Sequence, residues 1–320
     1  MAVPKPMTAA ELVLHPEYPH ITWDLQPAKK GKAVVATGRG GPINIAYEIH
    51  GHGSRHLVWI MGLGGMKTAW QRQTKDFAHT KGDKYTSLVF DNRGIGESDK
   101  PLSRYSTSEM AKDTMDLLDH VGWTGRRQLH IIGISMGGMI AQEMGFFENI
   151  RNRVNLFIPR PIDVQITNVK GNLYTTAFLN APDCTEYTVQ PFPTNGDRFA
   201  ATEISKRSNP AYFTRHGFIA QAIAAGWHYK SPAQLRQIGE NVGKRRIMCV
   251  HGSEDRMITF PHAAVLWGGL NGSMEEGDGN EVEKHFVMGQ GHVIPIEMRK
   301  EFMGWIEGLV ERAEALNKSL

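Results

Sequence analysis

The chain has 320 residues, of which 41% are hydrophobic and 22% are charged. This composition is ordinary for a globular protein and excludes a disordered, collagen-like or disulfide-stapled chain. The formal net charge of +3, from 36 basic and 33 acidic residues, is too small to indicate a nucleic-acid partner.

The cysteine content and the apolar segments indicate the compartment. The two cysteines, Cys184 and Cys249, are far apart and form neither a disulfide framework nor a zinc motif, which fits a reducing compartment. The sequence has no apolar run long enough for a transmembrane segment, and residues 1–6 lack the apolar region of a secretory leader, so we expect neither. We therefore expect a cytoplasmic protein.

Residues 1–31 are rich in proline and lysine and lack periodicity, which favours an N-terminal arm on the surface. Beyond the arm, helical patterns alternate with short apolar runs, as in βα units of a parallel sheet. Most of these runs end in a glycine-rich turn, and they predict strands at residues 33–36, 43–49, 56–61, 86–90 and 129–132.

The helix that follows residue 105 has clear boundary signals. Ser106 and Glu109 form a capping box, and Tyr105 and Met110 are placed as a hydrophobic staple. A second amphipathic pattern, at residues 302–313, predicts a final helix on the outside of the sheet.

The pattern weakens between residues 160 and 244, where a helix-like run at 211–226 stands out. Sheet signals resume in the last quarter of the chain. The predicted domains are therefore an arm at residues 1–31, an α/β core at 32–159 and 245–320, and a mainly helical cap at 160–244.

The strongest chemical signal is a Gly-x-Ser-x-Gly motif, with Ser135 between Gly133 and Gly137, directly after a strand and before a helix. A nucleophilic serine on such a sharp turn is lifted clear of the sheet, and a Cβ at either glycine would crowd the turn. The alternative is a tight turn whose serine only caps the helix.

Two glycine-rich loops follow earlier strands. The negatively charged oxygen of a tetrahedral intermediate needs two backbone N–H donors. The loop at residues 62–65 is suited to supply one from Leu63, and Met136 would supply the other. This loop lacks the Gly-Lys-Ser/Thr of a phosphate-binding loop. The loop at residues 91–99 lacks the third glycine of a dinucleotide motif. We interpret it as structural, with Arg93 paired to Asp91 or to backbone carbonyls.

A nucleophilic serine needs a base and an acid that orients the base. Asp255 follows the strand predicted at residues 246–251, with Glu254 and the more distant Asp163 as competitors. His292 follows the strand predicted at residues 284–288, whereas His285 lies inside that strand. The order serine, aspartate, histidine, each at a strand end, is the specific observation.

These motifs together resemble the α/β-hydrolase fold superfamily, in its serine esterase and lipase-like branch, over residues 33–150 and 245–316. The resemblance implies an α/β fold with a mostly parallel central sheet, flanking helices and an inserted helical cap. It implies Ser135 as the nucleophile, Asp255 as the acid and His292 as the base. It also implies Leu63 and Met136 as the oxyanion hole, with no cofactor and no metal.

The sequence departs from the family pattern at two places. The usual His-Gly before the oxyanion loop is Met61-Gly62 here. In addition, residues 146–153 resemble the cap of fungal-type members, although they follow the nucleophile motif almost at once. This predicts that a segment near residue 145 is missing. The missing segment would include the core strand that follows the nucleophile helix. Either a substitute strand at residues 154–158 takes the position of that strand in the sheet, or the position is empty. The alternating side-chain pattern of residues 154–158 favours the substitute strand.

The expected activity is the hydrolysis of a carboxylic ester of a small or medium apolar substrate through an acyl-enzyme. Thioesterase, peptidase, acyltransferase and C–C hydrolase activities use the same triad and remain open, as does a catalytically impaired, truncated or binding protein. Haloalkane dehalogenase and epoxide hydrolase would need a carboxylate at Ser135. The only partner that the sequence indicates is a small-molecule substrate.

Overall fold

The structure is a computed structural model that describes residues 5–125, 127–145, 162–274 and 279–318. Its strands are β1 (Lys29–Val35), β2 (Ile43–Gly51), β3 (Arg55–Ile60), β4 (Tyr85–Phe90), β5 (Leu129–Gly133), β6 (Met248–Gly252) and β7 (Glu283–Val287). Its helices are α1 (Ala9–Leu14), α2 (Gln71–Thr74), α3 (Thr107–Val121), α4 (Met136–Gly145), α5 (Ile162–Leu173), α6 (Thr176–Asn180), α7 (Asn195–Ser208), α8 (Arg215–Gly226), α9 (Pro232–Val242), α10 (Pro261–Asn271), α11 (Ile294–Glu297) and α12 (Arg299–Lys318).

The described residues divide into two compact units. The first unit is drawn from residues 1–23, 158–208 and 243–312, and the second from residues 24–157, 209–242 and 313–320. None of the described helices is long and apolar enough to cross a membrane.

The second unit contains a five-stranded sheet in the order β1-β2-β4-β3-β5. β3 pairs in parallel with both β4 and β5, whereas β1 and β2 are antiparallel to their neighbours. All residues of β4 are buried, and Leu57 to Ile60 of β3 are fully buried. Strands that are apolar on both faces are typical of a sheet covered by helices on both sides. The predicted fold class, an α/β sheet with flanking helices, is confirmed.

One face of this sheet packs on α3 and α4 through a single apolar cluster that includes Val58, Leu88, Met110 and Ile140. Near β3, the ring centroids of Trp59 and Trp70 lie 5.0 Å apart. Ser106 caps α3 by accepting a hydrogen bond from the Glu109 N–H, as its spacing predicts.

The first unit contains the parallel pair β6–β7. Its N-terminal part, which we predicted as a surface arm, includes α1. Thr8 and Glu11 cap α1 reciprocally, and Leu12 is buried in an apolar cluster with Ala201 and Ile204 of α7. The segment therefore contributes to the core of this unit, while the predicted domain boundaries stay predictions.

Residues 146–161 lie outside the described residues. The cap-like segment at 146–153 and the substitute strand at 154–158 both fall in this range, so both stay predictions. In the part of the chain that the structure describes, β5 is hydrogen-bonded to β3 alone and β6 to β7 alone.

Candidate active site

Ser135 lies between the end of β5 and the start of α4 with a φ of +54°. This left-handed conformation is unfavourable for a residue with a Cβ and marks a strained turn. A Cβ on Gly133 would lie 2.2 Å from the carbonyl oxygen of Gly137, and one on Gly137 would lie 2.1 Å from that of Ile60. Both glycines are therefore required by close backbone packing, as the motif predicted.

The loop after β3 lies directly against this serine. A Cβ placed on Gly62 would lie 3.0 Å from the Cβ and 3.7 Å from the Oγ of Ser135. The N–H of Ile134 donates to the carbonyl of Ile60 at 3.2 Å, which ties the residue before the serine to the end of β3. The serine and the glycine-rich loop thus form one local structure within the second unit.

The two predicted oxyanion donors belong to the chain segments that form this local structure. Met136 is the first residue of α4, where N–H groups have no partner within the helix and the helix dipole favours negative charge. The Gly62 carbonyl accepts the N–H of Gly65 at 3.2 Å and so points into the turn. Because the peptide is planar and trans, the Leu63 N–H of the same unit points the opposite way.

A side chain that the sequence reasoning did not assign to the site also fixes this loop. The Nδ2 of Asn92 donates to the carbonyl of Met61 at 2.9 Å. Met61, which stands where the family usually has histidine, is thus held through its backbone carbonyl. The position of Asn92 at the end of β4, next to β3, is the signal that could have indicated this contact.

The loop at residues 91–99 is structural, as we interpreted it, but its pairing differs from the prediction. Arg93 does not pair with Asp91. It forms a bidentate pair with Asp113 of α3, at 2.5 and 2.6 Å. Asp91 instead accepts hydrogen bonds from the backbone N–H groups of Lys67 and Glu97 and pairs with the ammonium group of Lys67 at 3.3 Å.

In the first unit, the loop after β6 and the loop after β7 bring Asp255 and His292 together. The Nδ1 of His292 lies 2.7 Å from the Oδ2 of Asp255. The other oxygen of Asp255, Oδ1, accepts the N–H groups of Met257 and Ile258 at 2.8 and 2.9 Å. Both side chains are nearly enclosed, with 3% and 7% of their surface exposed.

The electrostatics of this pair keep the acid ionised. Burial raises the pKa of the Asp255 carboxyl, but the hydrogen bond and charge of His292 and the two backbone N–H groups outweigh burial. The net pKa lies below its ordinary value. An ionised carboxylate at Nδ1 fixes the imidazole tautomer that leaves Nε2 able to accept a proton.

His251 of β6 is a second histidine near the acid that the sequence reasoning missed. Its Nε2 lies 2.8 Å from the Ile258 carbonyl and 3.4 Å from the Oδ2 of Asp255. It therefore braces the loop that carries Asp255. Its position four residues before Asp255 is the signal that could have found it.

The competing residues have other roles or positions. His285 stacks on Trp305 with the ring centroids 4.2 Å apart and pairs with Glu283 at 2.6 Å, as expected for a packed histidine. Glu254 is exposed, whereas Asp255 beside it is buried. Asp163 lies in α5.

The predicted site residues fall in both units. Leu63, Ser135 and Met136 belong to the second unit, and Asp255 and His292 belong to the first. The structure brings together the members of each group, and the complete triad stays a prediction. Among the described residues, no cluster of three His, Cys, Asp or Glu side chains could hold a metal ion.

Comparison with known proteins agrees with this local structure. A family model described as alpha/beta hydrolase fold matches residues 55–145, the segment from β3 to α4. An esterase from Thermogutta terrifontis has a similar solved structure, with a TM-score of 0.64 at 17% identity over 89% of this chain and 99% of that chain. The chain has the α/β-hydrolase fold.

Curated relatives match the chain over different lengths. The 3-oxoadipate enol-lactonase 2 of Acinetobacter baylyi is 33% identical over 101 residues, 31% of this chain and 35% of that protein. The soluble epoxide hydrolase of Corynebacterium sp. strain C12 is 24% identical over 261 residues, 73% of this chain and 84% of that protein. Where identity exceeds 30%, the matches thus span about a third of the relatives' length.

Proposed function

We propose that this α/β-hydrolase cleaves a carboxylic ester of a small or medium apolar substrate through an acyl-enzyme on Ser135. The observation that carries the proposal is the strained serine at the start of α4, with the oxyanion loop packed against it. A serine that only capped the helix would not need a φ of +54° or two glycines in backbone contact.

In the proposed mechanism, the Oγ of Ser135 attacks the acyl carbon while the Nε2 of His292 takes its proton. The N–H groups of Leu63 and Met136 stabilise the negative charge that develops on the carbonyl oxygen. The tetrahedral intermediate collapses, and His292 returns the proton to the leaving alcohol. Water, deprotonated by His292, then attacks the acyl-enzyme. As this second intermediate collapses, His292 returns the proton to the Oγ of Ser135 and the acid is released, while Asp255 holds the imidazole and balances its positive charge.

The preference for an apolar acyl group is supported by the aromatic residues beside the oxyanion loop. Phe218 of α8 packs so closely on Gly64 that a Cβ there would lie 3.0 Å from the ring. Phe213 lies next to it, with the ring centroids 5.6 Å apart, and both rings are only partly buried. These rings offer apolar surface, and we propose that the helical region 160–244 acts as the cap that selects the substrate.

The similarity to an epoxide hydrolase does not extend to the nucleophile. Opening an epoxide by covalent catalysis needs a carboxylate nucleophile, and position 135 carries a hydroxyl. The similarity to an enol-lactonase fits the proposal better, since a lactone is a cyclic ester. Cys184 and Cys249 form no disulfide among the described residues, which supports our proposal of a reducing, cytoplasmic location.

The test is covalent labelling with a fluorophosphonate probe combined with turnover of p-nitrophenyl acetate and butyrate. The wild-type chain should be labelled, and Ser135→Ala should lose both labelling and at least about a thousandfold in kcat. Ser103→Ala, which changes an exposed serine, is the matched control and should behave as wild type.

A second pair of variants tests the base. His292→Ala should lose labelling and turnover, whereas His285→Ala should keep both, because His285 is stacked on Trp305. Labelling that persists in Ser135→Ala, or activity that survives in His292→Ala, would contradict the assignment. A wild-type chain that is folded but never labelled would indicate a non-catalytic member of the superfamily.

A further inference from the structure

Gln221 of α8 joins two loops that carry site residues or support them. Its side chain is completely buried. Its Oε1 accepts the N–H of Gly64 at 2.9 Å, and its Nε2 donates to the carbonyl of Arg93 at 2.8 Å. Because the Gly64 N–H is a donor and the Arg93 carbonyl is an acceptor, only one of the two flipped orientations of the Gln221 amide satisfies both partners.

The helix that carries Gln221 is itself held against the loop after β4. The N–H of Gly96 donates to the carbonyl of Tyr212 at 2.7 Å. A Cβ on Gly217 would lie 2.2 Å from the carbonyl oxygen of Gly94, so the backbone of α8 touches that loop directly. α8 therefore packs directly on the loop after β4, and from this position Gln221 reaches the oxyanion loop.

We propose that Gln221 is a positioning residue for the oxyanion hole, an inference that rests on the proposed serine hydrolase function. It holds the peptide between Leu63 and Gly64 in the orientation that leaves the Leu63 N–H aimed at the reacting carbonyl oxygen. The residue comes from the region predicted as the cap, so one helix would both bound the substrate and fix the catalytic loop.

The physical reason is the flexibility of the loop itself. Gly64 has a φ of +66° and no side chain, so its backbone can rotate at low cost. The Gly65-to-Gly62 hydrogen bond holds one side of the turn, and Gln221 holds the other. An oxyanion donor must lie within a few tenths of an ångström of its place, so loss of one restraint should weaken transition-state binding more than substrate binding.

The first experiment compares Gln221→Met with wild type. Methionine keeps the length and burial of the side chain but loses the acceptor and the donor. We expect kcat for p-nitrophenyl acetate to fall about tenfold to a hundredfold with little change in KM. The matched control is Thr114→Val, which removes an equally buried hydroxyl that donates to Met110 within α3. It should keep kcat.

The second measurement separates an effect on the oxyanion from a general structural defect. A thionoester places sulfur where the ester places oxygen and gains less from N–H donors. Gln221→Met should therefore lower the rate with the oxygen ester several-fold more than the rate with the thionoester. An equal loss for both substrates, or a wild-type kcat, would overturn the proposal.

Gln221→Glu keeps the proposal testable if the methionine variant does not fold. A protonated glutamic acid can accept from Gly64 and donate to Arg93, whereas the ionised form can only accept. The activity of Gln221→Glu relative to wild type should therefore be near one at low pH and fall as the carboxyl ionises. A pH-independent ratio would overturn the proposal. Failure of Ser135 labelling would instead refute the proposed function, so the two failures are distinguishable.

Discussion

The Nδ1 of His292 lies 2.7 Å from the Oδ2 of Asp255, and the other oxygen of Asp255 is held by two backbone N–H groups. Asp255→Asn should keep this shape but place an amide opposite Nδ1, which favours the wrong imidazole tautomer. We expect kcat for p-nitrophenyl esters to fall by about 10³ to 10⁴. Glu254→Gln is the control, because Glu254 is exposed, and should retain wild-type kcat. Equal losses in both variants would contradict the role of Asp255.

The left-handed backbone of Ser135 predicts a difference in stability between two variants at this position. Alanine keeps the Cβ that is unfavourable at a φ of +54°, whereas glycine removes it. Ser135→Gly should therefore be more stable than Ser135→Ala by about 1 kcal/mol in free energy of unfolding. Urea denaturation followed by circular dichroism measures the difference. A glycine variant no more stable than the alanine variant would show that the turn is not strained.

Gly137 predicts a large loss of stability from one added methyl group. In Gly137→Ala the new Cβ would lie 2.1 Å from the backbone oxygen of Ile60, so β3 and α4 would have to separate. We expect a loss of about 3 kcal/mol or more, with loss of fluorophosphonate labelling. Gly308→Ala is the matched control. Its Cβ would meet nothing within 4 Å, so it should gain about 0.5–1 kcal/mol from helix propensity.

The buried carboxylate of Glu143 in α4, which is paired with Lys230, predicts how the stability of the second unit responds to acid. Burial raises the pKa of Glu143, but hydrogen bonds from His228 and Lys230 outweigh burial and lower the pKa to about 2, from an ordinary 4.5. A carboxyl whose pKa is lower in the folded than in the unfolded state stabilises the fold at pH values above the unfolded-state pKa. This contribution is lost as the pH falls through the folded-state pKa. The free energy of unfolding should therefore decline between about pH 4.5 and pH 2.

The variant Glu143→Gln isolates this contribution. It should be less stable than wild type at neutral pH, and its stability should decline less steeply below pH 4.5 in urea denaturation. Glu240→Gln, on an exposed position of α9, should keep the wild-type slope. A Glu143→Gln slope equal to that of wild type would show that the ion pair does not control the acid response.

Local sequence patterns predicted the strands and the sharp turn at Ser135 because the signals for both lie within a few residues of each other in the chain. The apolar runs that end in glycine became β3, β4 and β5, and the Ser106–Glu109 spacing became a helix cap. The start of β1 was predicted too late, at residue 33 rather than Lys29. Its first residues are exposed lysines on an edge strand, where no apolar alternation marks the pairing.

The contacts that escaped prediction join residues far apart in the chain. Gln221 forms a hydrogen bond with Gly64, which is 157 positions away. Arg93 pairs with Asp113 on a helix rather than with Asp91 in its own loop. Such partners depend on how elements pack, which periodicity does not encode. The N-terminal helix was missed for another reason, since its Thr8–Glu11 capping box is a local signal that the proline- and lysine-rich composition obscured.

The close pair of Trp59 and Trp70 gives the second unit a built-in optical signal. The two rings are 0% and 2% exposed, with their centroids 5.0 Å apart and tilted by 46°. Indoles so near and so rigidly held couple electronically, and their near-ultraviolet dichroism disappears when tertiary packing is lost. Melting of the sheet that carries Ser135 at its edge could therefore be followed spectroscopically without any label, and all variants could be compared on the same scale.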